Sequence, residues 1–104
     1  MTENPKEAEG RKKCPLDLVP SRALMEVAWA LANGADKYGA HNFAETGVKA
    51  STYKAANGRH MEDWYQGEDL DPESLRHHLA HAAASAMIAL DCYLRGNLED
   101  DRPG

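Results

Sequence analysis

The chain has 104 residues, 42% of them hydrophobic and 28% charged, with a formal net charge of -5. That length points to one domain with a small core, and the acidic balance excludes a basic nucleic-acid-binding face. No apolar run approaches the roughly 18 residues of a membrane span, the polar start MTENPKEAEGRKK excludes a secretory signal, and Cys14 and Cys92 have neither metal-pair nor disulfide-scaffold spacing. A reducing cytoplasm is the expected location.

Residues 1–13 read as a flexible tail, because they carry almost no apolar side chains. CPLDLVP, residues 14–20, reads as an extended lead-in bounded by prolines. No segment shows sustained alternation, so the expected class is all-α. The architecture expected is a small bundle of three main helices, completed by oligomerisation into a homodimer or higher homo-oligomer. Residues 14–96 are expected to form the single helical domain, and 97–104 a second flexible tail.

The first main helix should start at Ser21 as N-cap, bury Leu24, Val27, Ala28 and Leu31, and stop at Asn33-Gly34. GADKYGAHNF follows, with about one helical turn, and residues 44–50 read as loop. The second helix should run from Ser51 or Thr52 to Gln66, with Tyr53, Ala56, His60 and Trp64 on one face. Gly58 in its middle costs about 1 kcal/mol relative to Ala and suggests close approach of a backbone or ligand. Asp71-Pro72-Glu73 is a strong helix start. The third helix should run from there to Arg95, stop at Gly96-Asn97, and present Leu75, Leu79, Ala82, Ala86 and Ala89 or Leu90 as a stripe.

Several residues could carry chemistry. His78 and His81 share a helix face and suit a metal or a phosphate, yet such pairs are often merely packed. Glu68 and Asp71 offer oxygen ligands for Mg²⁺ or Mn²⁺, with Asp71 equally suited to capping. His60 lies on an apolar face, as a packed core histidine also would. Arg59 suits bidentate phosphate recognition, or else an ion pair with Glu62 or Asp63. Lys37 can neutralise a phosphate, Tyr38 can stack on a base, and Asn42 can read a base edge. There is no Walker loop, Gly-x-Gly-x-x-Gly, Gly-x-Ser-x-Gly or His-Glu-x-x-His motif.

The motifs in order resemble a phage-associated family described as dATP/dGTP diphosphohydrolases, similar to the all-α MazG-like nucleoside triphosphate pyrophosphohydrolases. The resemblance rests on Gly34-Ala35-x-Lys37-Tyr38, Asn42-Phe43, Arg59-His60 with Trp64, Glu68 with Asp71, and His78 with His81. It spans roughly residues 12 to 91. Phe43 replaces the commoner Trp, and Ser85 stands where the family pattern has Asn. MazG-like enzymes carry Glu-Glu-x-x-Glu and Glu-x-x-Asp runs that this chain lacks.

The resemblance implies a metal-dependent pyrophosphohydrolase of purine deoxynucleoside triphosphates, releasing monophosphate and pyrophosphate. His60 and Glu68 would be catalytic. Lys37, Tyr38, Asn42 and Arg59 would bind substrate, and Glu68, Asp71, His78 and His81 would hold Mg²⁺ or Mn²⁺. The alternative is a non-catalytic nucleotide-binding protein, such as a phage sponge for cyclic nucleotide immune signals. A helical interaction module with structural histidines is the third reading.

Overall fold

The computed structural model describes residues 4–104. Asn4 caps a first short helix, α1 (Pro5–Gly10), by accepting from the Lys6 amide at 2.8 Å. This helix lies inside the expected tail and buries nothing. Residues 1–3 of that tail lie outside the described residues. A single 3₁₀ turn, Leu16–Leu18, follows in the lead-in.

Three long helices then carry the fold, as the all-α reading anticipates: α2 (Ser21–Tyr38), α4 (Ala50–Tyr65) and α5 (His78–Arg95), with a short α3 (Asn42–Thr46) between the first two. Helix α5 is the shared element, packing against both α4 and α2. Its contact surface is built from small residues. Ala80 and Ala84 of α5 meet Val27 and Ala30 of α2, with Leu31 partly buried beside them. Alanines at this seam let the helix axes approach closely. Asn57 of α4 donates to the Ala82 carbonyl of α5 at 2.8 Å, tying the second seam.

Several expected boundaries move. Helix α2 does not stop at Asn33-Gly34; it continues through Gly34 for another turn and ends where Gly39 adopts φ 92°. Of its expected stripe, Val27 is buried and Leu31 half-buried, whereas Leu24 and Ala28 are exposed. The face Tyr53, Ala56, His60 and Trp64 on α4 is half-buried throughout, as its spacing predicts. A Cβ added at Gly58 would meet nothing within 4 Å, so no neighbouring backbone explains this glycine.

The largest change concerns the third helix. Asp71 does cap, its Oδ2 accepting from the Ser74 amide at 3.2 Å and the Ser74 hydroxyl at 2.8 Å. The turn it starts does not propagate. Leu75 adopts φ 62°, the left-handed region that ends helices, and is exposed rather than part of a buried stripe. The chain doubles back, with the Asp71 amide donating to the Arg76 carbonyl at 2.8 Å and Leu70 bridging His77. Helix α5 starts afresh at His78, capped by His77 Nδ1, which accepts from the Leu79 amide at 3.0 Å.

The segment after α5 acts as a strap. Two-residue strands β1 (Val48–Lys49) and β2 (Leu98–Glu99) pair in parallel. Asn97 Nδ2 donates to the Ala44 carbonyl at 2.9 Å, and Asp101 accepts from the Ser51 amide at 2.8 Å at the start of α4. Residues 97–101, expected to belong to a tail, thereby fix α3 and the α4 N-terminus. Among the described residues no helix is long and apolar enough to cross a membrane.

Candidate functional site

The C-terminal end of α2, helix α3, the middle of α4 and the first turns of α5 enclose a cavity of about 710 Å³. Seven of the nine sequence-predicted site residues line it: Lys37, Tyr38, Asn42, Arg59, His60, Asp71 and His81. Glu68 and His78 do not; His78 instead contacts His60, which does. The wall also contains Asp63, Glu73, Phe43, Tyr53 and Ser85, which sequence reasoning gave no role in a site. Asp63 was within reach, because it falls one helical turn from His60 on α4. Ser85, in the position of the family's Asn, borders the cavity and donates to the His81 carbonyl at 2.9 Å.

The polar groups form two carboxylate–imidazole chains that meet at stacked rings. In one, Glu68 Oε1 lies 2.7 Å from His78 Nε2, and His78 Nδ1 lies 2.9 Å from His60 Nδ1. His78 is 1% exposed, so water cannot replace either partner. In the other, the Ser74 hydroxyl bridges Asp71 and His81 Nε2 at 2.8 and 2.6 Å. The His60 and His81 rings stack at 4.6 Å with 11° between their planes.

Burial lowers the pKa of His60, and the neighbouring His81 and His78 lower it further. Burial also lowers His81, against the opposing pull of Asp71. Both rings are therefore held toward the neutral form. Burial works against charge on Asp71, but the hydrogen bonds from Ser74 and the Glu73 amide outweigh it and hold the carboxyl below its usual range.

Lys37 Nζ lies 2.6 Å from Glu73 Oε1, which raises the lysine pKa chiefly through that hydrogen bond. Arg76 stacks over Trp29 at 4.7 Å, so two cation contacts lean the 67–77 loop on α2. Arg59 makes no ion pair with Glu62 or Asp63, and its guanidinium is available to a ligand.

The four residues expected to hold a metal do not converge as one set. Asp71 and His81 approach to 3.7 Å on one side of the stacked rings. Glu68 and His78 lie on the other, where Asp63 joins them with ligand atoms all within 4.8 Å of one another. Cys92 is fully buried, and its thiol donates to the Phe43 carbonyl at 3.5 Å. That accords with a small core residue rather than a nucleophile.

No solved structure matches the chain. A protein of Salmonella phage PMBT28 named dATP/dGTP diphosphohydrolase is 37% identical over 90 residues, which is 86% of this chain and 30% of that protein. The chain therefore spans about a third of the length of that relative. Residues 3–102 match the family described as dATP/dGTP diphosphohydrolase, N-terminal. With nearly its whole length matched, this chain belongs to that family.

Proposed function

We propose that the cavity binds a purine deoxynucleoside triphosphate together with a divalent cation and hydrolyses it to the monophosphate and pyrophosphate. The observation that carries this reading is the charge of the wall. Asp63, Asp71 and Glu73 face Lys37 and Arg59, three carboxylates against two cations, with His60 and His81 held toward neutrality. A triphosphate alone would meet net repulsion there. With Mg²⁺ or Mn²⁺ between the phosphates and the carboxylates, the same wall becomes complementary. A sponge for metal-free cyclic nucleotides would be expected to carry an excess of cations instead.

The donor chemistry fits such an ion. Hard cations take carboxylate oxygens and complete their shell with phosphate and water. Asp63 and Asp71 line the cavity, and Asp71 has an oxygen that Ser74 does not occupy. Each offers the ion a carboxylate oxygen from the cavity wall. Of the ligands proposed from the sequence, His78 has both ring nitrogens engaged by Glu68 and His60 and would reach an ion only by giving up a hydrogen bond, whereas Glu68 keeps its second oxygen beside Asp63. When bound, the ion would neutralise phosphate charge and polarise the phosphoryl oxygens.

The chain's own groups account for the remaining work. Arg59 and Lys37 would take phosphate oxygens, Lys37 by exchanging its Glu73 partner for phosphate. Tyr38 offers a ring and Asn42 an amide for the base. His60 presents an imidazole to the cavity and would accept a proton from the attacking water. A new oxygen–phosphorus bond then forms at the α-phosphorus as the bond to the bridging oxygen breaks, and pyrophosphate leaves.

Isothermal titration of dATP and dGTP, with Mg²⁺ or Mn²⁺ and again with chelator, tests the reading. Binding should require the cation and weaken when Asp63→Asn and Asp71→Asn are introduced. Equally tight binding in chelator, with the nucleotide recovered intact, would sink it and favour the sponge. The exposed row Met87, Leu90 and Leu94 on α5 supports a homo-oligomer as the working form.

A further inference from the structure

We propose that Glu68 and His78 are positioning residues that fix the tautomer of His60, so that His60 turns a bare Nε2 lone pair toward the nucleotide cavity. The consequence for turnover rests on the nucleotide reading above. The tautomers themselves are a property of the metal-free, ligand-free chain.

The argument is an accounting of protons along one hydrogen-bonded chain. An ionised carboxylate can only accept. Glu68 Oε1 lies 2.7 Å from His78 Nε2, so that nitrogen carries a hydrogen and donates. A neutral imidazole protonated on Nε2 has its lone pair on Nδ1. His78 Nδ1 lies 2.9 Å from His60 Nδ1, a contact that requires one donor and one acceptor. His78 accepts, so His60 donates from Nδ1. The remaining nitrogen of His60, Nε2, is then unprotonated, and His60 is the member of the chain that borders the cavity.

Burial gives this polarity its force. His78 is 1% exposed and lies between two partners, leaving no water to satisfy the other tautomer. Its position is fixed from the backbone as well, because its amide donates to the Asp69 carbonyl at 2.9 Å, next to Glu68. The parallel chain obeys the same rules. Ser74 gives its single hydroxyl proton to Asp71 and receives the Arg76 amide at 3.2 Å, so His81 must donate to it from Nε2. Each stacked ring is thus held in one tautomer through an intermediary that ends on a carboxylate. A base whose tautomer is set by a carboxylate-backed partner is the general logic of an oriented catalytic imidazole.

The test uses the chain labelled with ¹⁵N-histidine, free of metal and nucleotide, at pH 8. Long-range proton–nitrogen correlation spectra, assigned by single substitutions, report which ring nitrogen carries hydrogen. The expected result is a single tautomer for each ring, His60 on Nδ1 and His78 on Nε2. Glu68→Ala, at a half-exposed position, should spread both rings over two tautomers. It should lower kcat by about tenfold or more while KM moves by less than about twofold. Glu68→Gln still offers an acceptor oxygen and should keep both tautomers and most of kcat, whereas a metal-ligand role for Glu68 predicts that turnover is lost.

Finding His60 protonated on Nε2, His78 protonated on both nitrogens, or tautomers unmoved by Glu68→Ala would overturn the proposal. If the tautomers are as stated but no nucleotide is hydrolysed, the nucleotide reading falls and the fixed tautomers stand.

Discussion

Replacing Gly47 with alanine should destabilise the chain far more than any other glycine-to-alanine change. Gly47 has φ 71° and ψ 174°, a region that residues with a Cβ essentially avoid at a cost of about 1–3 kcal/mol. An added Cβ would also clash with the Asn97 carbonyl oxygen. That oxygen belongs to the strap backbone, which is held by the Asn97–Ala44 hydrogen bond and the β1–β2 pairing, so it cannot swing aside. Such overpacking adds about 1–3 kcal/mol. The combined loss of about 2–6 kcal/mol is a large share of the stability of a small domain. For a domain of this size the midpoint should fall by at least about 8 °C. Gly58→Ala is the matched control: it lies inside α4 with nothing within 4 Å of the new Cβ and should gain about 0.5–1 kcal/mol. Thermal and urea unfolding followed by circular dichroism measures both. Equal midpoints for the two variants would refute the close approach of the strap to Gly47.

Other outcomes follow from the site. His60 and His81 have pKa values below the ordinary imidazole value of about 6.5, so below that pH the unfolded chain binds more protons than the folded one. Stability should be constant just above this pH and decline as it drops toward the lowered values; a midpoint unchanged between pH 7 and pH 5 would contradict the buried neutral pair. Glu73→Gln removes the partner that occupies Lys37 and one negative charge from the wall. Nucleotide affinity by titration should rise a few-fold at most, as expected for an exposed pair, and a fall would count against Lys37 as a phosphate ligand. Arg59→Ala should raise KM by about tenfold while kcat falls less, and steady-state kinetics showing the reverse would place Arg59 at the transition state instead. Sedimentation equilibrium should find at least a dimer that Leu90→Glu dissociates, and a monomeric wild type would remove the oligomer from the account.

Local signals carried the helical class and the half-buried face of α4, because both depend on spacing within one element. The start of α5 shows where such signals stop. Asp71, Pro72 and Glu73 are good starters, and Asp71 does cap a turn. Whether that turn grows depends on Leu75 entering the left-handed region so that Asp71 can pair with Arg76, which no periodicity records. Likewise Gly34 looked like a stop, yet the helix-compatible residues Ala35 to Tyr38 extend α2 to Gly39. The strap was illegible for a different reason: Val48 meets Leu98 across some fifty residues through strands of two residues each. At the site, the motifs picked out seven residues that line one cavity. They could not show that Glu68 and His78 fall outside it, since Glu68 sits on the loop that folds back after α4 and His78 is turned onto His60.

The central claim is that this chain cleaves purine deoxynucleoside triphosphates at the α-phosphorus with the help of a cation. Phosphorus-31 spectra of dATP or dGTP incubated with the chain and Mn²⁺ or Mg²⁺ in ¹⁸O-enriched water test it most directly. The account predicts equal amounts of monophosphate and pyrophosphate, the heavy oxygen in the monophosphate, and no products in chelator. Orthophosphate, heavy oxygen in pyrophosphate, or triphosphate left intact with the cation present would contradict it.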